Sequence, residues 1–139
     1  AAIVALGWTS APLASELVAS WIESGVAARV ADEKRAEAAA RSELARAILA
    51  PYATLAPGTS CHQWLVLPEP WRASDFVARA RQAGVAVTAA EAFAVGRANA
   101  PHAVRVCTST PKTREELRRG LDALASVLCA SPTSAATLV

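Results

Sequence analysis

The sequence contains no methionine, and only three of its 139 residues are cysteines. These cysteines, Cys61, Cys107 and Cys129, are widely spaced, form no CxxC pair and are odd in number. They therefore predict neither a disulfide framework nor a thiolate metal site. This usage fits a reducing, cytoplasmic location. Because an initiator methionine is also missing, we expect the chain to be a fragment of a longer protein that continues upstream.

Long apolar runs and an excess of one charge are also missing. The apolar segment 1–8 is much shorter than the roughly 20 residues that span a bilayer, and no basic stretch precedes it as in a signal peptide. The net charge is only +2, with acids and bases interleaved. Such a balance does not indicate direct binding to nucleic acid. At 53% hydrophobic residues, a chain of this length predicts one globular domain without membrane association.

Sequence motifs for catalysis and metal binding are absent as well. The chain has no GxSxG elbow and no glycine-rich phosphate loop. Cys61 and His62 are adjacent, so on a strand they would point to opposite faces and could not act together. We therefore predict structural roles for His62 and His102 and no metal site. Lysine is scarce too, since Lys34 and Lys112 are the only two.

Two helices are predicted before any strand. Thr9, Ser10 and Pro12 form a helix-start signal, with hydroxyls that can cap and a proline that the first turn tolerates. A glycine at position 25 indicates the end of this helix. A longer helix with a narrow apolar stripe and a charged outer face then follows at about 26–49. We assign 1–24 to a connector and first helix, and 25–50 to the long helix.

The second half of the chain predicts a sheet with helices. Strands are predicted at 61–67, 85–88 and 103–108, and helices at 74–84 and after the capping box at 113–116. The first strand is apolar almost throughout, which predicts burial on both faces. The predicted fold is α+β: a small, mainly antiparallel sheet of three to four strands, covered by helices and preceded by two helices. The whole chain, 1–139, would form one domain with an α/β core at 60–130 and a tail at 131–139.

Arg105 is the side chain whose setting suggests a chemical role. It lies between Val104 and Val106 in a predicted strand, so it points away from the face that the valines bury. A guanidinium on a short, stiff element can bind a carboxylate through two parallel hydrogen bonds. Spacing alone leaves a second interpretation open, in which Arg105 reaches solvent or pairs with a surface acid.

Several segments together resemble the C-terminal small domain of fold-type-I aminotransferase-like proteins. They are 62–68 (HQWLVLP), 71–76 (WRASDF), 83–88 (AGVAVT), 93–96 (FAVG), 104–106 (VRV) and 114–117 (REEL). The similarity is closest to the MocR-type branch of the GntR family of transcription regulators. Those proteins join a winged-helix DNA-binding domain to an aminotransferase class I/II domain that binds pyridoxal phosphate. Segments 21–25 (WIESG) and 35–41 (RAEAAAR) are also similar, so the resemblance covers nearly the whole chain.

The resemblance implies a role for Arg105 and a cofactor elsewhere. The arginine that matches Arg105 binds the α-carboxylate of an amino-acid substrate or effector in that family. The Schiff-base lysine, the acid and the phosphate site for pyridoxal phosphate come from the large domain upstream. Neither Lys34 nor Lys112 has the family's Ser-x-x-Lys setting, so we expect no cofactor-binding or catalytic residue and no transamination in this chain alone. Two departures, Ala89-Ala90 in place of a frequent Pro-Gly and Cys107-Thr108-Ser109 beyond the arginine, leave the identity of the amino acid open.

Three functions are compatible with these features. The chain could belong to the effector domain of a regulator, to a genuine pyridoxal-phosphate-dependent aminotransferase, or to a dimerisation module in which the arginine is incidental. The implied partners are the upstream large domain, an amino acid, and a second copy in a full-length homodimer. DNA would be bound only through a winged helix that lies outside this chain.

Overall fold

The structure is a computed structural model, and it describes residues 11–52, 54–95 and 100–130. Within these ranges the helices are α1 (Pro12–Glu23), α2 (Val26–Ile48), α3 (Ala73–Gln82), α4 (Arg114–Cys129) and a 3-10 helix (Ala90–Phe93). The strands are β1 (Thr54–Leu55), β2 (His62–Val66), β3 (Thr88–Ala89) and β4 (Ala103–Cys107). The predicted apolar start 1–8 and the tail 131–139 lie outside the described residues. None of the described helices is long and apolar enough to cross a membrane.

Contacts divide the chain into two compact units, 1–37 and 38–139. The single domain predicted from the sequence stays a prediction. In the first unit, α1 starts at Pro12 after Ala11, whose side chain offers no cap, and a glycine at φ 73° follows its last turn. The apolar residues of α1 are not buried within this chain, since Leu13, Leu17 and Trp21 are 83%, 48% and 47% exposed.

The sheet has strand order β1-β2-β4-β3, and all its neighbouring strands are antiparallel. This confirms the predicted α+β class and the small antiparallel sheet. The predicted strand at 85–88 is shorter than expected, because Val85 donates its N–H to the carbonyl of Ala80 and so completes the C-terminal cap of α3. Gly84, at φ 82°, makes the left-handed turn that this Schellman motif needs. Only Thr88 and Ala89 remain to pair with β4.

The hydrophobic core of the second unit lies on one face of the sheet. Leu65, Val104 and Val106 point into it from β2 and β4. The helices contribute Ala45, Leu49, Phe76, Ala80, Leu117, Leu121, Leu124 and Leu128. The prediction that β2 is buried on both faces is wrong within this chain. Gln63 and Leu65 are fully buried, whereas His62 and Trp64 are half-buried and Val66 is exposed, because the helices pack against one side only.

Helix α4 begins and packs as its sequence predicts. The side chain of Thr113 accepts a hydrogen bond from the backbone N–H of Glu116, and the Glu116 carboxylate accepts one from the N–H of Lys112. The first contact satisfies a donor of the first helical turn, where no intrahelical partner exists. The second contact binds the N–H one residue before the Thr113 cap. The four leucines of its stripe are all buried. Each stabilises the fold by about 1.5–3 kcal/mol relative to an exposed leucine.

Candidate functional site

The site is built on the face of the sheet that the helices leave open. Strand register sets Leu55, Trp64, Arg105 and Thr88 opposite one another across the four strands. Directly opposed residues of antiparallel strands point to the same face, so these side chains form one row, which we call the arginine row. Leu55 is 62% exposed, and the other three are half-buried. Arg105 is therefore directed as the valine alternation predicts.

Two aromatic rings contact the centre of the arginine row. The central carbon (Cζ) of the Arg105 guanidinium lies 4.5 Å from the centroid of the Phe93 ring, a cation–π contact. Phe93 in turn meets Trp64 edge to face, with centroids 5.4 Å apart and an interplanar angle of 86°. Phe93 ends the 3-10 helix that follows β3 directly, so the pairing of β3 with β4 brings its ring to Arg105.

The polar contacts of Arg105 are incomplete within the described part of the chain. Its Nε atom is buried and has no hydrogen-bond partner there. A buried donor without an acceptor costs about 1–3 kcal/mol, and such groups call for an explanation in native structures. Among the described ion pairs none involves Arg105, so the surface acid of the second sequence interpretation is not supplied by these residues.

Cys107 and His62 stand opposite each other on the same open face, beside the arginine row. Burial raises the pKa of the Cys107 thiol, whereas hydrogen bonds from Ser109 and Thr110 lower it. The hydrogen bonds together outweigh burial, and the pKa falls to about 7. The Sγ atom lies 3.3 Å from the Ser109 Oγ. The described residues contain no group of three or more histidines, cysteines and carboxylates that could hold a metal ion.

Arg41 fixes the end of the strand that carries Arg105. From α2, its Nη1 donates to the carbonyl oxygens of Thr108 at 3.0 Å and Pro111 at 2.7 Å. Its Nη2 donates to the carbonyl of Lys112 at 3.4 Å. The turn between β4 and α4 is thereby tied to α2. Sequence reasoning missed this residue, because its position on a charged helix face gave no signal that its guanidinium meets carbonyls some seventy residues away.

The two lysines are not part of the arginine row. Lys34 is exposed on α2 in the first unit, and Lys112 is exposed in the turn before α4. The open face therefore offers no lysine from the described strands or the 3-10 helix for covalent attachment of pyridoxal phosphate. Its cationic group is the Arg105 guanidinium, which contacts the Phe93 ring and can pair with a carboxylate through two parallel hydrogen bonds.

Comparison with known proteins supports both parts of the sequence resemblance. No protein-family model matches the chain. The chain is 36% identical over 127 residues to YdeF, an uncharacterised HTH-type transcriptional regulator of Bacillus subtilis, a match that covers 91% of this chain and 28% of the regulator. In structure it is similar to LysN, an α-aminoadipate aminotransferase from Thermus thermophilus, with a TM-score of 0.73 and 18% sequence identity. That likeness covers 92% of this chain and 33% of the enzyme.

The chain thus spans about a third or less of these two proteins. The aminotransferase was solved in complex with N-(5'-phosphopyridoxyl)-L-leucine, which is a property of that enzyme. At this identity the structural likeness shows the fold, and the sequence likeness is to a regulator. Both agree with the resemblance inferred from the motifs: the chain is similar to the aminotransferase-type C-terminal domain of a MocR-like transcriptional regulator.

Proposed function

We propose that this chain is the C-terminal part of an effector domain in a GntR/MocR-type transcriptional regulator, and that Arg105 binds the carboxylate of an amino acid. The observation that carries the proposal is the setting of Arg105 on the open face. Its guanidinium contacts an aromatic ring, and no described ion pair neutralises it. In the full-length protein, an upstream aminotransferase-like domain would bind pyridoxal phosphate, a second copy would complete a dimer, and a winged helix would bind DNA in the cytoplasm.

The chemistry of Arg105 supports a carboxylate ligand. A guanidinium is always charged and presents its N–H groups in a fixed plane that matches two carboxylate oxygens. Its strand is held from two sides, by pairing with β2 and β3 and by the Arg41 contacts at its C-terminal end. A fixed donor loses little conformational entropy when it binds. The neighbouring Trp64 and Phe93 lower the local polarity and so strengthen a charge-assisted hydrogen bond.

The test replaces Arg105 in the full-length protein. We expect Arg105→Ala to weaken binding of an amino-acid effector roughly 10- to 100-fold, the size of a lost hydrogen bond to a charged group. Arg105→Lys keeps the charge but not the planar fork, so it should restore only part of the affinity. Calorimetric titration measures both. Unchanged affinity in Arg105→Ala would exclude Arg105 as the carboxylate site and would favour an incidental arginine.

A second candidate function is the small domain of a genuine aminotransferase, favoured by the structural likeness to LysN. In that case Arg105 would orient a substrate, and its removal should lower kcat/KM in a transamination assay. A winged helix upstream and effector-dependent DNA binding would identify the regulator instead. A third candidate, an interaction module, is favoured by the exposed apolar residues of α1.

A further inference from the structure

We propose that a carboxylate ligand binds Arg105 end-on, through its two Nη atoms, and that Phe93 is a positioning residue that holds the guanidinium for this contact. This role rests on the proposed function, because it presumes that Arg105 binds a carboxylate. It adds a second residue to the site and a defined mode of binding.

Burial of one atom selects the binding mode. A guanidinium can pair with a carboxylate side-on, through Nε and one Nη, or end-on, through both Nη atoms. The Nε atom of Arg105 is buried within the described residues, so a ligand cannot reach the side-on edge. The Nη pair is left as the edge that can form two parallel hydrogen bonds. The ligand therefore approaches along the axis of the side chain.

The Phe93 ring fixes the plane in which that edge lies. The guanidinium carbon lies over the ring, 4.5 Å from its centroid, so the ring limits the space in which the guanidinium can turn. A cation held against a π face keeps its N–H groups directed outward, where they remain able to donate. Without the ring, the guanidinium could rotate about its last torsions, and fewer of its conformations would present both Nη atoms together.

The placement of Phe93 favours this role over packing in the core. Its ring is 42% exposed, whereas Ala90 at the start of the same 3-10 helix is 5% exposed and anchors it. The ring's partners are Arg105 and Trp64, whose ring plane lies at 86° to that of Phe93. Trp64 lies directly opposite Arg105 across β2 and β4. Trp64 thus limits the motion of the Phe93 ring, and the Phe93 ring limits the motion of the Arg105 guanidinium.

The experiment uses the full-length protein with L-leucine and with isopentylamine, which has the same carbon skeleton without the carboxylate. Phe93→Leu removes the π face and keeps an apolar side chain, and Phe93→Tyr retains the ring. We expect Phe93→Leu to weaken leucine binding about 2- to 5-fold, the range of an exposed cation–π contact. Isopentylamine binding should stay unchanged, and Phe93→Tyr should match the wild type. Calorimetry gives the affinities, and thermal unfolding verifies that each variant is folded.

The outcomes separate the two levels of the proposal. A preference for leucine over its amine that is equal in wild type and Arg105→Ala would overturn the proposed function and the role of Phe93 with it. If Arg105→Ala loses the preference for leucine and Phe93→Leu keeps it in full, the positioning role alone is refuted. Equal weakening of both compounds in Phe93→Leu would also refute it, because a purely structural loss does not distinguish the carboxylate.

Discussion

Ser42 and Gln63 form a buried polar pair behind the sheet, on the side opposite the arginine row. Both are 0% exposed, and the Gln63 Nε2 donates to the Ser42 Oγ at 2.8 Å. The Gln63 Oε1 has no partner among the described residues. This pair connects α2 to β2 within the second unit. A buried pair that is already partly unsatisfied is sensitive to the loss of either member.

Ser42→Ala should lower the free energy of unfolding by about 1–3 kcal/mol, because it leaves the Gln63 amide N–H groups buried without an acceptor. In the double variant Ser42→Ala/Gln63→Leu both polar groups are gone, and much of that loss should be recovered. Urea unfolding of Ser42→Ala, Gln63→Leu, the double variant and the wild type measures the difference. Additive losses in the double variant would show that the two side chains are not coupled.

For Arg105, the sequence predicted the face of the sheet to which the side chain points, but not the residues that it contacts. The alternation with Val104 and Val106 predicted which way the side chain points, because that property is local to one strand. The stacking on Phe93 depends on the register of β3 with β4 and on the 3-10 helix between them. Neither has a signal in residue spacing. The buried Nε could not be predicted for the same reason.

At the scale of secondary-structure elements, the sequence predicted best the elements that are long and carry their own start signals. Helix α4 carries its own start signal and a regular leucine stripe, so its start and its buried face were predicted correctly. Strands β1 and β3 have two residues each and form only because β2 and β4 lie beside them. No pattern of period two can be recognised over two residues. Strand β1 was therefore missed, and β3 was predicted too early in the chain.

The cap of α4 gives a prediction for that helix. Thr113→Ala removes the acceptor for the Glu116 N–H and should lower the free energy of unfolding by about 1 kcal/mol. Thr113→Ser keeps a hydroxyl at the same position and should stay close to the wild type. Urea unfolding compares the three proteins, and hydrogen exchange at Glu116 reports the local effect. A loss as large in Thr113→Ser as in Thr113→Ala would argue against the capping role.

At the scale of the whole molecule, our proposal makes the open face a ligand site that residues of an upstream domain would complete. Arg105 is the proposed carboxylate-binding residue, and neither Lys34 nor Lys112 belongs to the described strands that form this face. The chain covers 28% of the regulator and 33% of the aminotransferase that it matches. Sequence motifs could show the resemblance to such proteins. They could not show which residues complete the proposed site, because residue spacing carries no signal for contacts with a separate domain.

Addition of pyridoxal phosphate to this chain tests whether the cofactor site lies outside it, as we propose. We expect this chain to form no saturable covalent adduct with one equivalent of the compound, because a specific site needs a lysine together with an acid and a phosphate cradle. Absorbance titration, followed by borohydride reduction and mass spectrometry, detects any lysine that reacts. Lys34→Arg and Lys112→Arg are the matched controls, since each removes one of the two amines and keeps the charge. A yellow adduct that saturates at one equivalent and is lost in either variant would contradict the prediction. It would assign to this chain the cofactor chemistry that we place upstream.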